Sequence, residues 1–558
     1  MSSTKMSAFL WGAATSAYQV EGGIINNDWD YFARSKEIKN RIAILTKPSI
    51  FYKGTKQAII QSAGEAAKAR DPGYYLHDFE LARKLGMNSF RISIEWSRIQ
   101  PQKDKWEEGV VDEYVRMIRS MKDRGLNPIV TLNHFTLPLW ILTPPANFRK
   151  ILGQSLLISP LKDIPFLDPL SEDLYWRSLR GWENHQTVRE FVKFVSKVVM
   201  ELRDLVDYWI TICEPVASII GLGYMAGLWP PGFFLDGNRA KKVLHNLIEA
   251  HVQAYDRITE LDDVDADGDG VSKKVGFAHL MLAVSPARPT KIMGATIKKN
   301  TEAAKNFSYF VNDYFINAVV NGEEDLNYLN TLERYNKDSK NFILHDKWKN
   351  KTDFVGVDYY RRVYVYHSNV IALSSARFVG GALINNLELK NKQQHGILND
   401  LGWEIYPQGL YELIMHLRNQ WGDIAVFITE NGVADKSDRY RGPFIVAHVE
   451  QIKRAIDNGA DVIGYLHWSF IDNYEWLDGY KSEAKFGLFR IDYNKNDEVQ
   501  VGLERQLTRG AQALKLIIEK STFESRGGSI SNTAILKAEE KFGKFNADGR
   551  KLVLPRRE

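Results

Sequence analysis

Eight short, mostly apolar runs recur along the chain, and longer amphipathic segments lie between them. The runs are Phe9–Ala13, Ser89–Ser93, Pro128–Asn133, Tyr208–Cys213, Val275–Leu280, Phe354–Tyr359, Ala425–Thr429 and Ile463–Trp468. Strands that alternate with helices read as βα units, because parallel neighbours need a crossover connection. Helical periodicity runs through Tyr74–Leu85, Val188–Leu205, His245–Ile258, Gly409–Gln420 and Pro443–Asn458, and Glu504–Lys520 closes the series. Asp71-Pro72-Gly73 supplies a helix start, and Gly86 and Gly459 fall where C-terminal glycine caps belong. Eight strands with their helices are the count for a closed α/β unit, a single (β/α)8 TIM barrel. Chemistry in such a barrel sits at the C-terminal strand ends, which says where to look for functional residues.

The 558 residues fit one barrel with long loops, since such barrels often exceed the usual domain length. The expected barrel domain is 1–521, with insertions at 37–70 and 141–170 and a polar C-terminal surface extension over 522–558. A 44% hydrophobic, 25% charged composition supports a large core. The net charge of +4 gives no drive toward a nucleic-acid partner. Cys213 is the sole cysteine, so no intramolecular disulfide can form, which fits a reducing, cytoplasmic compartment. The N-terminus shows no secretory pattern, and no apolar run reaches the roughly 18 residues of a membrane span.

Both insertions follow barrel strands and should overhang the mouth. Residues 37–70 mix apolar side chains with seven Lys/Arg after Glu37, against one further Glu. Residues 141–170 are apolar and broken by prolines. The plainer expectation is that they pack as a lid or form a homo-oligomer contact. The sharper one is a peripheral contact with an anionic membrane that presents a glycolipid. A separate stretch, DVDADGDG at 263–270, resembles half of a calcium loop through Asp263, Asp265, Asp267 and Asp269. Its twelfth position would be Lys274, where a bidentate Glu is needed, so the full motif fails; a solvated acidic turn without metal is the plainer expectation, and a calcium or other cation site on these four Asp is the alternative.

Two carboxylic acids stand at strand ends. Glu214 follows the fourth strand and precedes Pro215, and Glu430 follows the seventh and precedes Asn431-Gly432. Across a closed eight-strand barrel those two ends face each other. Cleavage of a glycosidic bond with retention needs two carboxyls about 5–5.5 Å apart, one protonated and one ionised. A lone Glu at a strand end is usually just solvated. Here the other ends are polar and aromatic too: Gln19 and Glu21, Arg91, Asn133 and His134, Asp358 with Tyr359 and Tyr360, and Trp468 before Glu475 and Trp476. A ring of unpaired polar groups would only destabilise a packed core.

The strings FLWGAATSAYQVEGG, FRISIEWSRIQP, TLNHFTLPLW, WITICEP, DFVGVDYY, VFITENG and GYLHWSFIDNYEWLDGY together resemble glycoside hydrolase family 1 from about Ala8 to Ile518. The C-terminal part looks like the archaeal-type members, and ATSAYQVEG like the bacterial ones. The resemblance implies a retaining exo-β-glycosidase on a (β/α)8 barrel, with a small glycoside as substrate and no cofactor. It implies Glu430 as nucleophile and Glu214 as acid/base. Arg91 would lower the pKa of Glu430 by charge pairing, and Tyr360 would donate a hydrogen bond to the same carboxylate. Gln19, His134, Glu475 and Trp476 would bind hydroxyls of the non-reducing sugar. Trp468 would form the floor beneath that sugar, and Phe486 would line the pocket.

Three positions depart from the family pattern. Cys213 stands where the family has the Asn that bonds the sugar 2-hydroxyl, and a thiol is a weak donor and acceptor. Asp358 replaces another Asn, and a carboxylate there should raise the pKa of a neighbouring Glu. Phe135 replaces a Trp. Glu475 should repel phosphate, which argues against 6-phosphoglycosides. A transglycosidase that uses an acceptor other than water, and a non-catalytic glycan-binding barrel, are the remaining readings.

Overall fold

In a computed structural model of the chain, eight parallel strands close on themselves. The structure describes residues 8–45, 61–142, 179–288, 296–325, 342–369, 382–384, 396–493, 504–525 and 530–555. The barrel strands are β1 (Leu10–Ala14), β2 (Ser89–Ser93), β3 (Asn127–Asn133), β4 (Tyr208–Cys213), β5 (Lys274–Leu280), β6 (Phe354–Tyr359), β7 (Ala425–Asn431) and β8 (Val462–Trp468). Each pairs with its neighbours in sequence, and β1 closes the ring on β8, with Leu10 beside Gly464. Strands covered on both faces are continuous apolar runs, and β4 is buried at every position.

Strand β1 starts one residue later than its sequence run. Strand β7 runs past Thr429, and Glu430 pairs in register with Asp358 of β6 after an irregularity that follows Ile428. The two carboxylates are thereby fixed side by side on adjacent strands.

The outer ring comprises helices Pro72–Lys84, Glu108–Lys122, His185–Leu202, Gly237–Leu261, Tyr314–Asn321, Pro407–Trp421, Arg441–Asp457 and Arg509–Ser525. Side-chain caps start several of them: Asp71 accepts from Gly73 N, and Asn184 from Gln186 N. Gly86 and Gly459 take φ of 81° and 87°, the left-handed conformation of a helix stop. Helix Gly237–Leu261 begins well before His245, because Asp236 caps a polar first turn that carries no apolar period. Helix Arg509–Ser525 begins after Glu504, because Gln506–Leu507 first pairs with Phe489–Arg490.

Beyond residue 529, Ser531 caps helix Asn532–Phe542. That helix buries Ile535, Ala538 and Phe542 against Arg441–Asp457 and Arg509–Ser525. In the insertions, residues 46–60 and 143–170 lie outside the described residues, so the lid and membrane readings fall there. Before them, helix Lys36–Leu45 buries Ile38 and Ile42 beside Phe32 and Ala33. Among the described residues, no helix is long and apolar enough to cross a membrane.

The Asp-rich turn at 263–270 connects helix Gly237–Leu261 to the N-terminal end of β5, on the barrel face away from the strand ends that carry Glu214 and Glu430. Its carboxylates are engaged locally. Arg203 reaches Asp263 at 3.2 Å, Lys274 reaches Asp269 at 2.6 Å, and Asp265 accepts from the N–H groups of Gly268 and Gly270. Oxygens of Asp207, Asp265 and Asp267 lie within 4.8 Å of one another.

Candidate active site

At the end of β4 the chain turns sharply. Glu214 adopts a left-handed backbone, φ 47° and ψ 55°, and donates its N–H to Ala278 O at 2.8 Å. A non-glycine residue there is strained, and surrounding structure must hold it. Pro215 then opens a wide helical segment, Pro215–Met225, and the Ser218 hydroxyl one turn on donates to the Glu214 carboxylate.

Opposite, Glu430 is clamped from two sides. Arg91 Nη1 donates to its Oε1 at 2.9 Å, and Tyr360 Oη donates to its Oε2 at 2.6 Å. Arg91 is itself fixed by Thr131 Oγ1 at 2.9 Å, by Thr429 O at 3.2 Å and by Cys213 Sγ at 3.2 Å. Gly432 follows closely, and a Cβ at that position would lie 1.9 Å from Trp468 O. Only glycine lets the loop after β7 lie against the end of β8.

Asp358 completes the centre. Its Oδ1 accepts from Thr429 Oγ1 at 2.7 Å and lies 3.7 Å from Arg91 Nη1. Its Oδ2 faces the Cys213 thiol at 3.7 Å, and that sulfur is 4.0 Å from Glu430 Oε1. Cys213, Glu214 and Asp358 present donor atoms within 4.8 Å of one another, as do His134, Cys213 and Glu430.

Burial and like charge act together on these acids. Burial, reinforced by the Asp358 carboxylate, pushes Glu214 up to about 8. The same two causes raise Glu430 well above the usual carboxylate range, while Arg91 and the Tyr360 hydroxyl pull it down. The expected lowering by Arg91 through charge pairing is present. The guanidinium acts in that direction, but burial and Asp358 outweigh it. Asp358 is raised too, by burial, against the opposing pull of Arg91. Burial likewise raises the Cys213 thiol far above its ordinary value, so it stays protonated.

The remaining sequence candidates line the space above. His134 lies parallel to Trp468 at 5.9 Å and to Trp476 at 6.4 Å between ring centres. Burial keeps its ring neutral, and its Nδ1 has no partner among the described residues. Phe135 meets Trp476 edge-on at 5.2 Å. Gln19 Nε2 donates to Tyr474 O at 2.6 Å and its Oε1 accepts from Ser16 Oγ at 2.8 Å, which fixes the amide at the entrance of the β8 loop. Glu475 donates its N–H to Gly479 O at 2.8 Å, and burial with nearby Asp478 pushes its carboxyl up to about 8. Phe486 meets Tyr360 edge-on at 6.2 Å and approaches Trp403 at 5.9 Å.

The strand ends thus bring Arg91, Cys213, Glu214, Asp358, Tyr360 and Glu430 into one contact network. Sequence reading missed Ser218, Thr131, Thr429 and Trp403. Ser218 was findable, since a residue four positions after Glu214 lies one helical turn on. Trp403 sits in a long loop and carries no such signal.

The glycosyl hydrolase family 1 model matches residues 1–143 and 177–522. A β-galactosidase of Pyrococcus woesei is 28% identical over 92% of this chain and 98% of its own. A β-galactosidase of Saccharolobus solfataricus is 32% identical over 76% of this chain and 80% of its own. The solved β-glycosidase from Pyrococcus horikoshii superposes with a TM-score of 0.67 at 26% identity, covering 97% and 98% of the two chains. With a matching family model over nearly its whole length and the acidic centre at the expected strand ends, this chain is a glycoside hydrolase that belongs to glycosyl hydrolase family 1.

Proposed function

We propose that the protein hydrolyses β-linked glycosides, of the galactoside or glucoside type named for its relatives, by double displacement. The observation that carries this reading is the clamp on Glu430, one oxygen held by Arg91 and the other by Tyr360. A nucleophile aimed by two donors is pre-positioned for attack on the anomeric carbon. Glu214, pushed up to about 8, holds its proton at neutral pH and gives it to the leaving oxygen. Ionised afterwards, it draws a proton from water, which releases the sugar from Glu430. His134, whose Nδ1 has no partner among the described residues and which lies among aromatic faces, suits a sugar hydroxyl. The buried Cys213 thiol in the centre of the site supports action in a reducing compartment.

The test is a panel of aryl β-glycosides, together with a 2-deoxy-2-fluoro glycoside that stalls at the glycosyl-enzyme. Release of the aryl group, with the label on the peptide that contains Glu430, is the expected result. Label on another residue would overturn the assignment of the nucleophile.

A further inference from the structure

We propose that the site takes β-linked 2-amino-2-deoxy sugars, with Asp358 as the counter-ion of the protonated amine on carbon 2. This rests on the glycosidase reading above and names its substrate class.

Orientation comes first. The anomeric carbon must lie against the Glu430 carboxylate, flanked in the ring by the ring oxygen and by carbon 2. Glu430 has two unlike sides: the Tyr360 hydroxyl at Oε2, and the Cys213 thiol 4.0 Å from Oε1, with Asp358 behind it. The ring oxygen has lone pairs and no hydrogen, so it fits beside the Tyr360 donor and is repelled by an anion. Carbon 2 and its substituent then fall on the Cys213–Asp358 side.

What waits on that side is an anion short of donors. Asp358 is fully buried, and Thr429 and Arg91 both face its Oδ1. Among the described residues, the partner of Oδ2 is the Cys213 thiol at 3.7 Å, a weak donor at long range. A hydroxyl on carbon 2 would leave this oxygen poorly satisfied. An ammonium would give it a charge-assisted bond, the stronger kind. The short Cys213 side chain leaves carbon 2 free of any competing amide at that position.

Charge balance points the same way. Arg91 is one cation shared by Glu430 and Asp358. Both carboxylates cannot stay ionised beside it without a further positive charge in so closed a space. A neutral sugar leaves a proton on the pair, and some of the time that proton sits on the nucleophile. A 2-ammonium sugar balances the two anions with two cations and keeps Glu430 ionised for attack. An N-acetylated sugar brings neither the charge nor the small size. The amine makes and breaks no covalent bond.

The experiment compares kcat/KM for 4-nitrophenyl β-glycosides of glucosamine, glucose and N-acetylglucosamine at mildly acidic pH, where the amine is protonated. Wild type should favour the glucosaminide over the glucoside by roughly tenfold or more, and should leave the N-acetyl compound intact. Asp358→Asn should reverse the order, losing the glucosaminide and gaining the glucoside. Preference of the wild type for the glucoside, or an equal fall on both substrates in Asp358→Asn, overturns the proposal. If no aryl glycoside is cleaved and the fluoro sugar does not label Glu430, the glycosidase reading itself fails. Tryptophan fluorescence titration still decides the amine question in that case. Glucosamine binding tighter than glucose, with the difference abolished in Asp358→Asn, supports the counter-ion; equal affinities overturn it.

Discussion

Arg91 Nη1 lies 2.9 Å from Glu430 Oε1, and both side chains are closed off from solvent. The two residues are 339 positions apart, on β2 and β7, so only the closed barrel joins them. The same guanidinium bonds Cys213 and lies 3.7 Å from Asp358, and Glu214, Asp358 and Glu430 all feel its charge.

Arg91→Met should therefore damage stability as well as activity. It leaves two buried carboxyls without their cation, and breaking a buried pair in this way costs about 3–5 kcal/mol. Urea unfolding at neutral pH should show a loss of this size. A much smaller loss would mean that the carboxyls simply take up protons.

Tyr360→Phe removes one donor to Glu430 and leaves the fold intact. A hydrogen bond to a charged group is worth about 1.5–3 kcal/mol, so kcat/KM should fall roughly 10- to 100-fold. Tyr360 pulls the pKa of Glu430 down. Its removal should move the acid limb of the pH profile to higher pH, because the nucleophile then ionises later.

Glu214 sits at about 8, so activity should fall as pH rises through about 8 and the acid loses its proton. Asp358 raises this value and Ser218 lowers it. Asp358→Asn should move the alkaline limb down in pH, and Ser218→Ala should move it up. Shifts in the same direction would show that Glu214 does not set that limb.

Azide separates the roles of the two acids. With an activated substrate, Glu214→Ala plus azide should yield the β-glycosyl azide, because azide displaces Glu430 from the glycosyl-enzyme by attack on the opposite face. Glu430→Gly plus azide should yield the α-azide, since azide then enters where the carboxylate was. NMR of the products reads the anomer directly, and exchanged outcomes would exchange the roles.

Gly432→Ala should unfold the end of β7 or displace it, since a Cβ there would meet Trp468 O at 1.9 Å. A loss of several °C in Tm together with loss of activity is expected. An unchanged Tm would show that the β8 end can move aside.

The architecture and the two acids at strand ends are readable along the chain. Short continuous apolar runs bounded by turn signals read as strands covered on both faces, and eight of them with helices between leave few closures other than a barrel. Glu214, Glu430, Arg91 and Tyr360 were legible because strand ends carry chemistry and their strings resemble one family. Boundaries were less legible where turns are polar, as at Gly237 before His245, or where a short ribbon intervenes, as at Gln506. The balance of charge could not be read along the chain at all. Arg91 beside Glu430 suggests a low pKa, yet Asp358 becomes the register partner of Glu430 only when β6 pairs with β7, and burial then dominates. The facing of Cys213 toward Asp358, across 145 residues, was likewise decided by tertiary structure alone. Electrostatic energy depends on distance and on exclusion of water, and both are set by packing rather than by order along the chain.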